Sequence, residues 1–159
     1  MPEFPRNILA LAGFFAICFS VAGIGAVATV SSVDTWYPTL VKPPFNPPDW
    51  IFGPVWTFLY ALIATAGWRV WRSPSGPMRR RGLVLYSLQL ALNLLWSILF
   101  FGLHLTGLAL VEILLLLVVI AVTGRIFYRV DCMAGLLFIP YLLWVGFASL
   151  LNFAIWILN

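Results

Sequence analysis

Charge is the scarcest thing in this sequence. Only 9% of its 159 residues are Asp, Glu, Lys or Arg, where a soluble domain carries about 25%. A water-soluble domain is excluded on that ground. Histidine occurs once, at His104, and cysteine twice, at Cys18 and Cys132. With no C-x-x-C pair and no histidine near either thiol, the cysteines form no metal or redox motif and read as small apolar fillers. There is no nucleophile–base pair and no phosphate loop. The sequence therefore gives no positive argument for an enzyme, no catalytic or metal-ligating residue is assigned, and no cofactor is required. The formal net charge of +4 would suit nucleic acid, but the arginines sit at the ends of apolar runs. That placement is membrane topology, and a nucleic-acid partner is not expected.

What the sequence has in quantity is hydrocarbon: 63% hydrophobic residues and a mean hydropathy of +1.03. Five apolar runs lie at about 8–30, 50–71, 82–101, 105–128 and 133–158, each near the roughly 20 residues that cross a bilayer. The expected fold is all-α, a single integral membrane bundle of five transmembrane helices without internal repeats. The first run could be a secretory signal, but such a core is about 7–15 residues; a first span is the better reading. On it, Ala12, Ala16 and Ser20 recur every four residues beside Gly13, Gly23 and Gly25, a face suited to close helix approach. Pro140 is expected to free the Leu136 carbonyl and kink the fifth span near a pocket. Arg6, Arg69, Arg72, Arg79, Arg80, Arg81, Arg125 and Arg129 fall at one end of the bundle and only Lys42 at the other. The positive-inside rule then puts the N-terminus inside, and the C-terminus and the loop 31–50 outside.

That loop is the one long segment that is not a plain apolar run. Pro38, Pro43, Pro44, Pro47 and Pro48 remove backbone donors and fix φ, which argues against helix or central strand. Trp36, Tyr37, Phe45 and Trp50 make it too aromatic for a solvated linker. A stiff cover over something between the helices fits both facts.

Polar groups inside the spans carry the remaining information. Gly53, Trp56, Thr57, Tyr60, Ala64 and Gly67 share one helical face of span two. Gln89, Asn93, Trp96, Ser97 and Phe100 share one on span three, and Tyr141, Trp144, Ala148 and Asn152 one on span five. An amide in hydrocarbon without a partner costs several kcal/mol, so Gln89, Asn93 and Asn152 must face the interior or a cavity. Taken singly, each amide also fits interhelical glue, and the tryptophans an interfacial belt. Trp36, Trp50, Trp68, Trp71 and Trp156 suit the belt. Trp56, Trp96 and Trp144 lie a turn or two deeper, and with the amides they describe a mostly apolar pocket for a flat hydrophobic ligand. Glu112, early in span four, is read as snorkelling or paired in preference to a proton site. His104 is read as a surface residue in preference to a haem ligand.

These residues carry a resemblance. Trp36-Tyr37, Lys42-Pro43, Asn46-Pro47-Pro48, Trp56-Thr57-x-Leu59-Tyr60, Gln89-x-x-x-Asn93-x-x-Trp96, Pro140-Tyr141-x-x-Trp144 and Leu151-Asn152-Phe153 resemble the tryptophan-rich sensory protein (TspO/MBR) family, related to the translocator protein or peripheral-type benzodiazepine receptor. The likeness runs over nearly the whole chain in order and spacing. It implies a five-helix bundle, often dimeric, that binds porphyrins such as protoporphyrin IX, haem and benzodiazepine-site ligands. By motif, Trp36 and Tyr37 match positions closing over the ligand, Trp56 and Tyr60 the span-two wall, Asn93 and Trp96 the span-three wall, and Trp144 and Ala148 the span-five wall. The role it implies is sensing, regulating or moving porphyrins in a cell membrane. A transporter proper and a light-dependent porphyrin-degrading enzyme are the alternatives. The sterol motif of animal members departs here: Phe153 stands where Tyr is needed and no basic residue follows, so cholesterol is not expected by that route. The lack of a charged tail points to a prokaryotic member.

Overall fold

The structure is a computed structural model that describes residues 3–159, with side chains described from Arg6 onward. Helix α1 spans Glu3–Val33, α2 Phe52–Arg72, α3 Pro77–Ser97, α4 Thr106–Val130, α5 Cys132–Leu137 and α6 Ile139–Leu158. A 3-10 turn, Tyr37–Thr39, sits in the proline-rich loop, another, Asp49–Ile51, leads into α2, and a π turn, Ile98–Gly102, ends α3. With α5 and α6 counted as one, five helices are long and apolar enough to cross a membrane. Between its ends the outer surface is mainly hydrocarbon: Val27, Val111, Leu143 and Leu150 are each more than 60% exposed. That is a surface for lipid, not water.

The spans close into a ring in which α1 packs on α2 and α3, α4 on α3 and α6, and α5 on α2 and α4. Small residues set the closest approaches. A Cβ on Gly67 would come within 2.7 Å of the Tyr86 ring and 2.9 Å of Phe14, so α1, α2 and α3 are tight at the arginine-rich end. A Cβ on Gly135 would meet Tyr128 Cα at 2.5 Å, where α5 crosses the backbone of α4. Toward the loop end the spacing changes. Gly25 still approaches Ser97 of α3, but Gly23 of α1 and Gly53 of α2 have nothing within 4 Å of a Cβ position. The groove between α1 and α2 is open there.

Two expectations move. The third helix begins earlier than the apolar run at 82: Arg79, Arg80 and Arg81 form the first turns of α3, which starts at Pro77. Proline suits the first helical turn, where its missing N–H is not needed. The break in span five falls at Phe138, with Pro140 in the first turn of α6. It lies near the arginine-rich end, where Phe138 packs on Phe127 and Tyr141, and does not border the cavity described below.

One ion pair ties that end together among the described residues. Arg69 Nη2 lies 3.0 Å from Asp131 Oδ2 and Arg69 Nε donates to Oδ1 at 3.1 Å. The same Oδ1 accepts from the Ala134 N–H and caps α5. One carboxylate thus fixes the end of α2 to the α4–α5 turn through a two-pronged contact.

Candidate ligand-binding site

Under the proline-rich loop, α1, α2 and α3 enclose a cavity of about 420 Å³. Its aromatic walls are Phe52, Trp56 and Tyr60 from α2, Trp96 from α3, Phe101 from the π turn and Tyr37 from the loop. From α1 come Phe19, Ala22, Gly23, Gly25, Ala26, Thr29 and Val33. This α1 wall is what sequence reasoning missed. The small-residue face of span one was assigned to helix approach, and its signal was there: Ala22, Ala26 and Thr29 at helical spacing below a phenylalanine. Small side chains on one helix opposite large aromatics on two others leave a slot suited to a flat molecule.

Of the residues expected at the site, Tyr37, Trp56, Tyr60, Asn93 and Trp96 line the cavity. Trp36, Trp144 and Ala148 do not. Trp144 stands behind Phe52, ring centroids 6.0 Å apart, so Phe52 takes the position on the wall. Ala148 is buried within the main core. Trp36 lies beside the cavity, edge-on to Phe100 at 5.7 Å and stacked on His104 at 4.0 Å.

The polar groups behind the wall are joined in a chain. Tyr60 Oη donates to Asn93 Oδ1 at 2.8 Å, Asn93 Nδ2 donates to Tyr141 Oη at 3.0 Å, and Tyr141 Oη donates to Gln89 Oε1 at 2.8 Å. A second chain runs from Trp96 Nε1 to Asn152 Oδ1 at 3.1 Å and from Asn152 Nδ2 to the Thr106 carbonyl at 2.8 Å. Asn93 and Asn152 therefore do both jobs the sequence left open: they join helices, and they orient Tyr60 and Trp96 on the cavity wall. Two buried groups stay unpaired among the described residues, Gln89 Nε2 and both oxygens of Glu112. Glu112 is 7% exposed and has no hydrogen-bond partner, so it neither snorkels nor pairs as expected.

The cover is held at several points. Tyr37 is buried and donates from Oη to Asn46 Oδ1 at 2.8 Å, with Lys42 Nζ 4.3 Å above its ring. Burial, together with the charge of Asp49, pushes the Tyr37 phenol up to about 12. Val41 exchanges two hydrogen bonds with the Asn159 side chain. Ser32 Oγ donates its one proton to the Phe101 carbonyl at 2.6 Å, so the 3.1 Å contact to His104 Nε2 must be a donation from the imidazole. His104 is exposed and outside the cavity, with a left-handed backbone at φ 57°.

The side wall is different. Phe19, Gly23 and Ala26 of α1 and Gly53 and Thr57 of α2 line the cavity and are exposed, and Gly23 and Gly53 have nothing within 4 Å of a Cβ position. The cavity is thus covered at the loop end and open laterally, toward the hydrocarbon.

The model of the TspO/MBR family matches residues 14–157. The chain belongs to that family. Among curated relatives of this TspO/MBR chain, the tryptophan-rich protein TspO of Chlorobaculum tepidum is 44% identical over 97% of the chain and 98% of its own length. The tryptophan-rich sensory protein of Cereibacter sphaeroides is 39% identical, covering 87% and 88% respectively. The translocator protein of Bos taurus is 38% identical, covering 89% and 86%. The family and the five apolar spans together make the chain an integral, multi-pass membrane protein.

Proposed function

We propose that this chain is a membrane receptor that binds tetrapyrroles and similar flat hydrophobic ligands in the cavity between α1, α2 and α3, in a sensing or regulatory role. The observation that carries the reading is the slot itself: about 420 Å³, with Trp56, Trp96, Phe52 and Phe101 facing a helix of small side chains. Cavities of 300–1,000 Å³ with apolar walls and few polar groups are the usual form of small-molecule sites. The names of the relatives, sensory protein and translocator protein, fit the reading.

The polar rim orients the ligand. Asp49 lines the cavity at the loop end and repels a carboxylate, while Lys42, held over Tyr37, attracts one. A porphyrin's propionates would therefore sit on the Lys42 side of the rim. Iron adds little: among the described residues no His, Cys or Met lines the cavity, the hydroxyls of Tyr37 and Tyr60 donate to Asn46 and Asn93, and His104 lies outside it facing Ser32 and Trp36. The ring is held by its faces, so haem and metal-free protoporphyrin should bind alike. The arginine count puts the arginine-rich end of the bundle on the cytoplasmic side, and the family resemblance adds pairing as a homodimer.

The test is titration of protoporphyrin IX into purified protein, followed by porphyrin absorption. Trp56→Ala and Trp96→Ala should each weaken binding by roughly two- to tenfold, the worth of about one aromatic contact. Trp144→Ala, one layer back, should weaken it less. Unchanged affinity in both wall variants would show that the cavity is not the site.

A further inference from the structure

A second feature lies at the opposite end of the molecule. Arg80 and Val84, four residues apart on α3, and Gly76 just before the helix form a ridge shared by two surface grooves. One groove has Arg79 and Leu83 on its far side, the other Arg81 and Leu85. Each groove thus begins at arginines and runs onto aliphatic side chains within a membrane span. Val84, at the ridge, is 62% exposed.

The electrostatics at the head of the ridge are one-sided. The first turn of α3 carries no acidic residue, and its N-cap makes no side-chain hydrogen bond. Three guanidinium groups therefore stand at the positive end of a helix dipole, where cations are disfavoured unless an anion joins them. Among the described residues, Arg69 is the arginine with a carboxylate partner. Arg79 donates to the Ser73 carbonyl at 3.2 Å, which holds it at the groove mouth. Arg80 and Arg81 have no such side-chain contact to the protein among the described residues.

We propose that this ridge is a binding site for one anionic phospholipid, the phosphate on Arg80 between Arg79 and Arg81, and one acyl chain in each groove. Topology alone accounts for arginines at this end of the bundle, but not for paired apolar grooves that part at Arg80. The two-chain geometry selects a lipid over free phosphate. The negative charge of the head selects phosphatidylglycerol over phosphatidylcholine with the same chains. The site lies on a different part of the molecule from the aromatic cavity, so neither proposal depends on the other.

The experiment is native mass spectrometry of the full chain released from micelles doped with dioleoyl phosphatidylglycerol, dioleoyl phosphatidylcholine or glycerophosphate. Wild-type protein should retain one phosphatidylglycerol and little of the other two. Arg80→Gln should lower that retention about fivefold, the value of one basic residue at a lipid surface. Arg6→Gln, at the same end but outside both grooves, should leave it unchanged. Val84→Trp, which fills the shared wall, should lower it with the charges intact. Equal retention of the two lipids, or equal loss in Arg80→Gln and Arg6→Gln, would reduce the ridge to a diffuse positive surface and overturn the proposal. Retention of glycerophosphate at the level of the lipid would remove the role of the grooves.

Discussion

Asn93 lies where three helices meet behind the cavity, and replacing it tests how the wall is built. Asn93→Leu removes two hydrogen bonds: the one it accepts from Tyr60 and the one it donates to Tyr141. Tyr141 keeps its donation to Gln89, so its proton stays satisfied. Tyr60, 5% exposed, is left with a buried hydroxyl and no acceptor. Interhelical hydrogen bonds in membranes average about 0.6 kcal/mol each, and an orphaned buried donor costs about 1–3 kcal/mol. The orphaned Tyr60 donor and the lost bond to Tyr141 together put the loss of stability at about 2–4 kcal/mol. Tyr60→Phe alone removes one bond and leaves one amide oxygen unpaired, so about 1 kcal/mol is expected. In the double variant no donor is stranded between the two positions. It should be no less stable than Asn93→Leu alone, which makes the two changes strongly non-additive. The measurement is reversible unfolding in mixed micelles, followed by circular dichroism, for the wild type, both single variants and the double variant. If the two losses simply add, Tyr60 and Asn93 are not energetically joined and the chain behind the wall is only geometry.

Three further sets of outcomes concern the tight glycines, the loop histidine and the cover. Gly135→Ala forces a Cβ against the Tyr128 backbone, which cannot rotate aside; thermal unfolding should show a loss of about 3 kcal/mol, the upper part of the overpacking range. Gly67→Ala meets ring atoms of Tyr86 and Phe14, which can shift, so about 1–2 kcal/mol is expected there. His104→Ala and His104→Gly both remove the stack on Trp36 and the donation to Ser32. Both should speed hydrogen exchange across residues 32–41, and protection restored by glycine alone would assign the effect to the left-handed backbone. The third concerns pH: the Tyr37 phenol is raised from 10.0 to about 12 in the folded chain, so its contribution is fully present below 10 and is lost as pH rises through 12. Tyr37→Phe should erase the part of the fall in stability between those two values that belongs to the cover.

The helices were legible because nothing in a hydrocarbon layer competes with intrahelical hydrogen bonding, so length and hydropathy decide the fold. The inward faces were legible for a related reason: Asn93, Gln89 and Asn152 cannot face lipid. Helical spacing names a face but not the neighbour opposite it. For that reason Trp144 was expected on the wall, although Phe52 stands in front of it. The contribution of α1 was hidden because small apolar residues look the same whether they admit another helix or a ligand. Glu112 was misread because depth along a helix gives no information about which side of the helix is buried. Arg79, Arg80 and Arg81 fell outside the third expected span because hydropathy starts it only at 82, yet the helix itself starts at Pro77.

The opening between α1 and α2 has a consequence for any measurement of ligand strength. Phe19, Gly23, Ala26, Gly53 and Thr57 present the cavity to the bilayer interior. A greasy ligand therefore reaches the protein from a reservoir in which it is already concentrated, and it gives up little water on entering. Apparent affinity will then track moles of ligand per mole of lipid, not moles per litre of buffer. Diluting the same proteoliposomes with more empty vesicles should make binding look weaker at constant total ligand and protein, while diluting them with buffer should change it far less.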